Sequence, residues 1–215
     1  MTITKSFHSI AGTLACLFLT AAAANGQTNP PDAADCAALL GMQVESGTVT
    51  SAQRFAQGQS LSGSIGLGTL FGGDTAVAAS ADLCRVQLKL QPTPSSDINV
   101  DLWLPESWNA KLFSYGGGGF SGGLGQSAAL MNTSVGRGYA SATSDLGHPA
   151  GATAQWAYNQ PEKVVDFGHR ANHLVAVTAK QVINAYYGSP VQRAYFQGCS
   201  GGGREALMEV SRYPD

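Results

Sequence analysis

The sequence predicts an α/β chain with a largely parallel sheet, and three observations carry that expectation. Runs of strand length, apolar or alternating, recur from Asp82 onward. Between two of them lies PEKVVDFGHRANHLVAVTAKQVINAYYG, whose apolar residues follow a helical period. Two glycine-rich turns, GGGGFSGG and GCSGGG, each directly follow a strand candidate. Strand, glycine loop, strand, long helix, strand, tight turn, helix is the order of an α/β architecture.

The N-terminus, MTITKSFHSIAGTLACLFLTAAAANGQ, carries Lys5, an apolar stretch from Ile10 to Ala24, and then small residues. This pattern predicts a secretory signal over residues 1–26, with Ala24-Asn25-Gly26 as the cleavage site, and hence a secreted or periplasmic protein. The apolar run falls short of the roughly 20 residues that a bilayer span needs. Lipid attachment at Cys16 fits poorly, because the apolar run continues past it. In NPPDAADCAALL, Asp35 is expected to cap a short helix. The stretch from Gln57 to Gly73 is rich in Gly and Ser without a period, and reads as a loop.

From Asp82 the texture becomes periodic. LCRVQLKLQP alternates as a half-buried strand does, and INVDLWLP repeats the pattern up to Pro105. KLFSY is a short apolar strand ending in glycines, and GYASATSD is another, running into GHPAG. In the long helical stretch from Pro161, Leu174, Val175, Val182 and Tyr186 fall near a 3.6 period, and Gly188 and Pro190 stop it. RAYFQ, Arg193 to Gln197, is the last strand, and GGREALMEVSRY begins another helix.

Composition narrows the partners. Only 12% of the 215 residues are charged, 27 are glycine, and the net charge is -2. That balance lacks the electrostatic footprint of a nucleic-acid or anionic-membrane binder. With Cys16 leaving in the signal, Cys36, Cys84 and Cys199 remain, an odd count for an oxidising compartment. Cys36 and Cys84, both in the N-terminal segment 27–95, are expected to pair. Cys199 is left over as a free thiol, half of an intermolecular bond, or a residue whose partner is missing.

Gly198-Cys199-Ser200-Gly201-Gly202 fits G-x-S-x-G, placed between a strand and a helix as a nucleophile elbow requires. The elbow holds its serine on a strained turn above the sheet. Residues two before and two after pack so tightly that a Cβ would clash, hence Gly198 and Gly202. The Gly201 amide, at the helix start, points at a developing oxyanion. Gly116-Gly117-Gly118-Gly119 before Phe120 matches the glycine loop that gives esterases their other oxyanion donor, and Gly118 and Gly119 are the candidates.

These residues resemble the tannase and feruloyl esterase family, which includes mono(2-hydroxyethyl) terephthalate hydrolase. The likeness runs from about Cys36 to the last residue and is most specific at Cys199-Ser200. It implies an α/β-hydrolase fold, of which residues 96–215 are the first part, truncated after the elbow helix. It also implies a serine esterase acting on aromatic, phenolic-acid esters, with Ser200 as nucleophile. Cys199 would form a disulfide to a cysteine beside the catalytic histidine, beyond Asp215. Calcium, known in the family's lid, would lie outside this chain. Asp145-Leu146-Gly147-His148 resembles a family D-x-G-H segment with a structural part to play.

The triad order of this fold is serine, acid, histidine. Yet His8, His148, His169 and His173 all precede Ser200. Glu205 and Glu209 follow it on the departing helix, where they are expected to face solvent or neighbouring turns. Acid and base are therefore expected beyond Asp215, and this chain alone is expected to be inactive. Two other readings compete. One is a non-catalytic exported module on an esterase scaffold. The other is a metallohydrolase using His169 and His173, four apart on a helix, although Arg170 stands where a zinc protease has glutamate.

Overall fold

A computed structural model describes residues 33–61, 77–120, 122–149, 151 and 153–214. The expected signal, residues 1–26, and most of the expected glycine-rich loop lie outside them. Helix α1 spans Ala33–Ala38 and strands β1 and β2 span Gln43–Val44 and Gly47–Phe55. Two short strands, β3 (Ser60–Leu61) and β4 (Val77–Ala78), pair with each other, so the Gln57–Gly73 stretch is not wholly loop. Asp35 is the third described residue of α1.

The main sheet then builds from β5 (Leu83–Leu90), β6 (Ile98–Pro105), β7 (Lys111–Tyr115), β8 (Ala140–Ser144) and β9 (Arg193–Gln197). Their order is β1-β2-β5-β6-β8-β7-β9. Contrary to the expectation of a largely parallel sheet, it is mixed. Pairs from β1 through β6 to β8 are antiparallel, and only β8-β7 and β7-β9 are parallel. The connection from β5 to β6 is too short for the dozen or more residues that a parallel crossover needs. The N-terminal segment therefore continues the same sheet that carries residues 96–215.

Both faces of the central strands are covered, while β9 at the edge is exposed. On one face Val86, Leu88, Val100, Leu102 and Leu104 pack against α4 (Ala171–Tyr187) through Leu174, Val175, Val182 and Ile183. On the other, Leu83, Trp103 and Tyr115 pack against α2 (Ala128–Val135) through Ala128, Met131 and Val135. Strands β5 and β6 are thus buried on both sides rather than half-buried as their alternation suggests. Two polar residues of that alternation, Arg85 and Asp101, are internal partners. Arg85, beneath the surface, donates from Nη2 to Asp101 Oδ2 at 2.8 Å and from Nε to Oδ1 at 3.0 Å. Breaking one member of such a pair strands the other charge, a loss of about 3–5 kcal/mol.

The Cys36–Cys84 disulfide ties α1 to β5, as expected from cysteine parity, and closes a separation of 48 residues. The long helix of the sequence reading is present but interrupted. Helix α3 (Pro161–Val165) widens into a π-turn over Asp166–Arg170 before α4 begins. Arg204 Nη1 donates to the Phe167 and Gly168 carbonyls, at 2.9 and 2.8 Å, which takes up acceptors in the widened turn. Helix α4 ends where Gly188 adopts φ 63°, as Gly188 and Pro190 predict. No helix among the described residues is long and apolar enough to cross a membrane.

Candidate active site

Strand β9 pairs with β7 in parallel, Leu112 opposite Ala194 and Tyr115 opposite Gln197. Both strands therefore deliver their following turns to the same edge of the sheet. After β7 comes the glycine loop, and after β9 comes Ser200, which opens α5 (Gly201–Arg212). Ser200 has φ 56° and ψ -115°. For a residue with a Cβ this backbone costs about 1–3 kcal/mol, and it persists only where the surroundings enforce it.

The enforcement comes from glycines. A Cβ on Gly198 would stand 2.6 Å from Gly202 Cα and closer still to the Gly202 carbonyl. One on Gly202 would meet the Gly117 oxygen at 2.9 Å, and one on Gly201 the Gly119 nitrogen at 3.1 Å. Elbow and glycine loop are in backbone-to-backbone contact, Gly201 against Gly119 and Gly202 against Gly116 and Gly117. Both Ser200 and Cys199 are exposed there.

The loop's amides are not equally free. Gly116 N–H donates to the Gln197 carbonyl at 3.0 Å, and Gly118 N–H donates to Gln126 Oε1 at 3.0 Å. The Gly118 amide, expected as an oxyanion donor, donates in this structure to the Gln126 side chain. Gly119, with φ 60°, is the remaining candidate. A cavity of about 260 Å³ opens beside the elbow, between Gly116–Gly118, Gln126, Leu130 and Gly198–Cys199.

Glu205 departs from the sequence expectation. It is buried behind the loop and accepts from Asn172 Nδ2 at 3.0 Å. Burial raises its pKa, opposed by the Asn172 hydrogen bond, the Arg204 charge and the Gly117 amide. Its position three residues after Gly202, on the helix face that meets the loop, was the signal available in the sequence. Glu209 is not solvent-directed either, because its Oε1 lies 3.1 Å from His173 Nδ1. Gln126 and Asn172 carried no sequence signal.

The described histidines are engaged elsewhere. His148 Nδ1 is 3.0 Å from the Pro149 carbonyl, which can only accept, so the proton sits on Nδ1. Its ring stacks on Trp156 at 3.9 Å, and burial lowers its pKa. Asp145 binds the Asn99 amide at 3.0 Å, the Asn99 side chain at 2.6 Å and Gly147 N–H at 2.9 Å. The D-x-G-H segment thus fastens the turn after β8 onto β6. His169 Nδ1 lies 3.3 Å from the Tyr213 hydroxyl, and the Tyr213 ring stacks on His173 at 3.5 Å. Among the described residues no three His, Cys, Asp or Glu side chains could hold a metal ion. The zinc reading of His169 and His173 therefore finds no third ligand among them.

A family model described as tannase and feruloyl esterase matches residues 84–215. The chain is 35% identical over 143 residues to Probable feruloyl esterase B-1 of Aspergillus flavus and to Probable feruloyl esterase B-2 of Aspergillus oryzae. Each match covers 66% of this chain and 27% of the relative, so the chain spans about a quarter of these relatives' length. The crystal structure of feruloyl esterase B from Aspergillus oryzae superposes with a TM-score of 0.74 at 26% identity, over 85% of this chain and 35% of that one. The crystal structure of an esterase from Aspergillus oryzae gives 0.72 at 25% identity, over 85% and 36%.

Proposed function

Because this chain belongs to the tannase and feruloyl esterase family, we propose that it carries the nucleophile of an exported serine esterase acting on esters of phenolic, aromatic acids. The observation that carries the reading is the backbone of Ser200, φ 56° and ψ -115°, at the strand-to-helix turn against the glycine loop. A folded chain tolerates that strain where a side chain must project clear of the sheet. The Cys36–Cys84 disulfide supports export, since such bonds persist in oxidising compartments. On this reading the leader ends near Ala24-Asn25-Gly26.

In the proposed reaction Ser200 Oγ attacks the ester carbonyl carbon as a histidine removes its proton. The carbonyl oxygen becomes an oxyanion between the amides of Gly201 and Gly119, aided by the positive end of α5. Collapse expels the alcohol, which takes the proton back from the histidine, and leaves an acyl-serine that water then hydrolyses. The histidine and its acid come from outside the described residues. Cys199, exposed beside Ser200, is bridged on this reading to a cysteine next to that histidine and holds the two segments in register.

Turnover of a methyl ester of a phenolic acid, against a methyl alkanoate of similar size, tests the proposal on the protein expressed from its complete reading frame. The phenolic ester should be hydrolysed at least about tenfold faster, and Ser200→Ala should remove the activity. Equal rates on the two esters would sink the substrate class. An active Ser200→Ala would sink the nucleophile.

A further inference from the structure

Four glycines in succession have no side chains to anchor them and little backbone preference, yet an oxyanion donor must stand about 2.7–3.1 Å from the developing charge in a fixed direction. Something else must hold the loop. Gly116 is tied to the Gln197 carbonyl of β9, and Gly118 to Gln126. Between them the loop backs onto the carboxylate of Glu205, whose charged form the Gly117 amide favours. Glu205 Oε2 also lies so close to Gly116 that a Cβ there would be 2.7 Å away.

We propose that Glu205 is a positioning residue for the oxyanion-forming loop, a reading that rests on the esterase function above. Its carboxylate is 1% exposed, a costly place for a charge unless polar groups use it. Those groups are present. Asn172 Nδ2, from α4, orients Oε2 at 3.0 Å, and Arg204 Nη2 stands 3.7 Å from Oε1. Arg204 in turn is fixed by the Phe167 and Gly168 carbonyls of the π-turn. The chain of support runs from the π-turn and α4, through one carboxylate on the helix that Ser200 begins, to the glycine loop at Gly116. With the Gly116 and Gly118 amides bonded to Gln197 and Gln126, Gly119, whose nitrogen would lie 3.1 Å from a Cβ on Gly201, is the loop amide set against the elbow. Nucleophile and loop are thereby referenced to the same helix, α5, so their separation is set within one rigid element.

The test is steady-state kinetics of Glu205→Ala, Glu205→Gln and Asn172→Ala in the protein expressed from its complete reading frame, with Ser200→Ala alongside. Misplacing an oxyanion donor by about 1 Å costs on the order of 10²-fold. Glu205→Ala should therefore lower kcat about 10²-fold with KM within about threefold, and should slow phosphonylation of Ser200 in parallel. Glu205→Gln keeps the shape of the side chain and an acceptor oxygen behind the loop, and should recover kcat to within about fivefold of the parent, with Asn172→Ala between the two. A folded Glu205→Ala with parental kcat, or a Glu205→Gln as poor as Glu205→Ala, overturns the inference while an inactive Ser200→Ala leaves the esterase reading standing. An active Ser200→Ala overturns that reading instead. If Glu205→Ala fails to fold, Asn172→Ala decides: a loss confined to kcat supports the positioning, and parental kcat overturns it.

Discussion

Replacing Gly198 by alanine puts a Cβ 2.6 Å from Gly202 Cα, against backbone atoms that have no rotamer to move to. Carbon atoms in comfortable contact sit about 3.5–4.0 Å apart, so β9 and α5 must separate by about 1 Å. Overpacking of this kind costs about 1–3 kcal/mol and sometimes more. The same methyl at Gly203, one turn position away, meets nothing nearer than the Gly198 oxygen at 3.8 Å. There alanine gains about 0.5–1 kcal/mol from its helical preference. The two variants should thus differ by roughly 1.5–4 kcal/mol in urea denaturation, although each adds one methyl to the same turn. Turnover should separate them too, with Gly198→Ala down about 10²-fold and Gly203→Ala close to the parent. Equal stability and equal turnover for the pair would refute the packing argument for the elbow.

Further expectations concern the scaffold. Converting Cys36 and Cys84 to serine opens a loop of 48 residues and should lower unfolding free energy by about 4 kcal/mol at 25 °C, read from urea midpoints. An unchanged midpoint would mean the bridge constrains nothing. In the folded state burial lowers the pKa of His148 from 6.5, so its neutral form is favoured. That contribution is present above pH 6.5 and is lost as pH falls through the lower folded value. Thermal melts of the parent and His148→Phe, which keeps a ring against Trp156, should therefore diverge in slope below pH 6.5, the parent losing stability more steeply. Parallel curves would remove His148 from the acid response.

Much of the site was legible because its constraints are local. A serine between glycines at fixed spacing, after a strand and before a helix, needs no distant information, and neither does a four-glycine run after KLFSY. What escaped the sequence was pairing between segments. Arg85 and Asp101 look like the solvent side of alternating strands, yet each is the other's buried partner. Glu205 carries a charge on a helix that begins at the surface, and its burial depends on partners from other segments such as Asn172, together with Arg204 beside it. Gln126 sits in an unremarkable stretch, yet takes the Gly118 amide assigned by spacing alone. The strand directions were partly readable: residues 91–97 between β5 and β6 are too few for a parallel crossover. The insertion of β8 between β6 and β7 was not, because sequence order gives no neighbour order.

The claim that Ser200 is the nucleophile is tested most directly by labelling. The protein expressed from its complete reading frame is treated with a fluorophosphonate and digested, and the modified peptide is located by mass spectrometry. The account predicts one phosphonyl group per chain on Ser200, carried by the peptide that runs from β9 into α5, with no label in Ser200→Ala and no protection by chelator. Label on any other residue, or full ester turnover by a protein whose Ser200 stays unmodified, would contradict it.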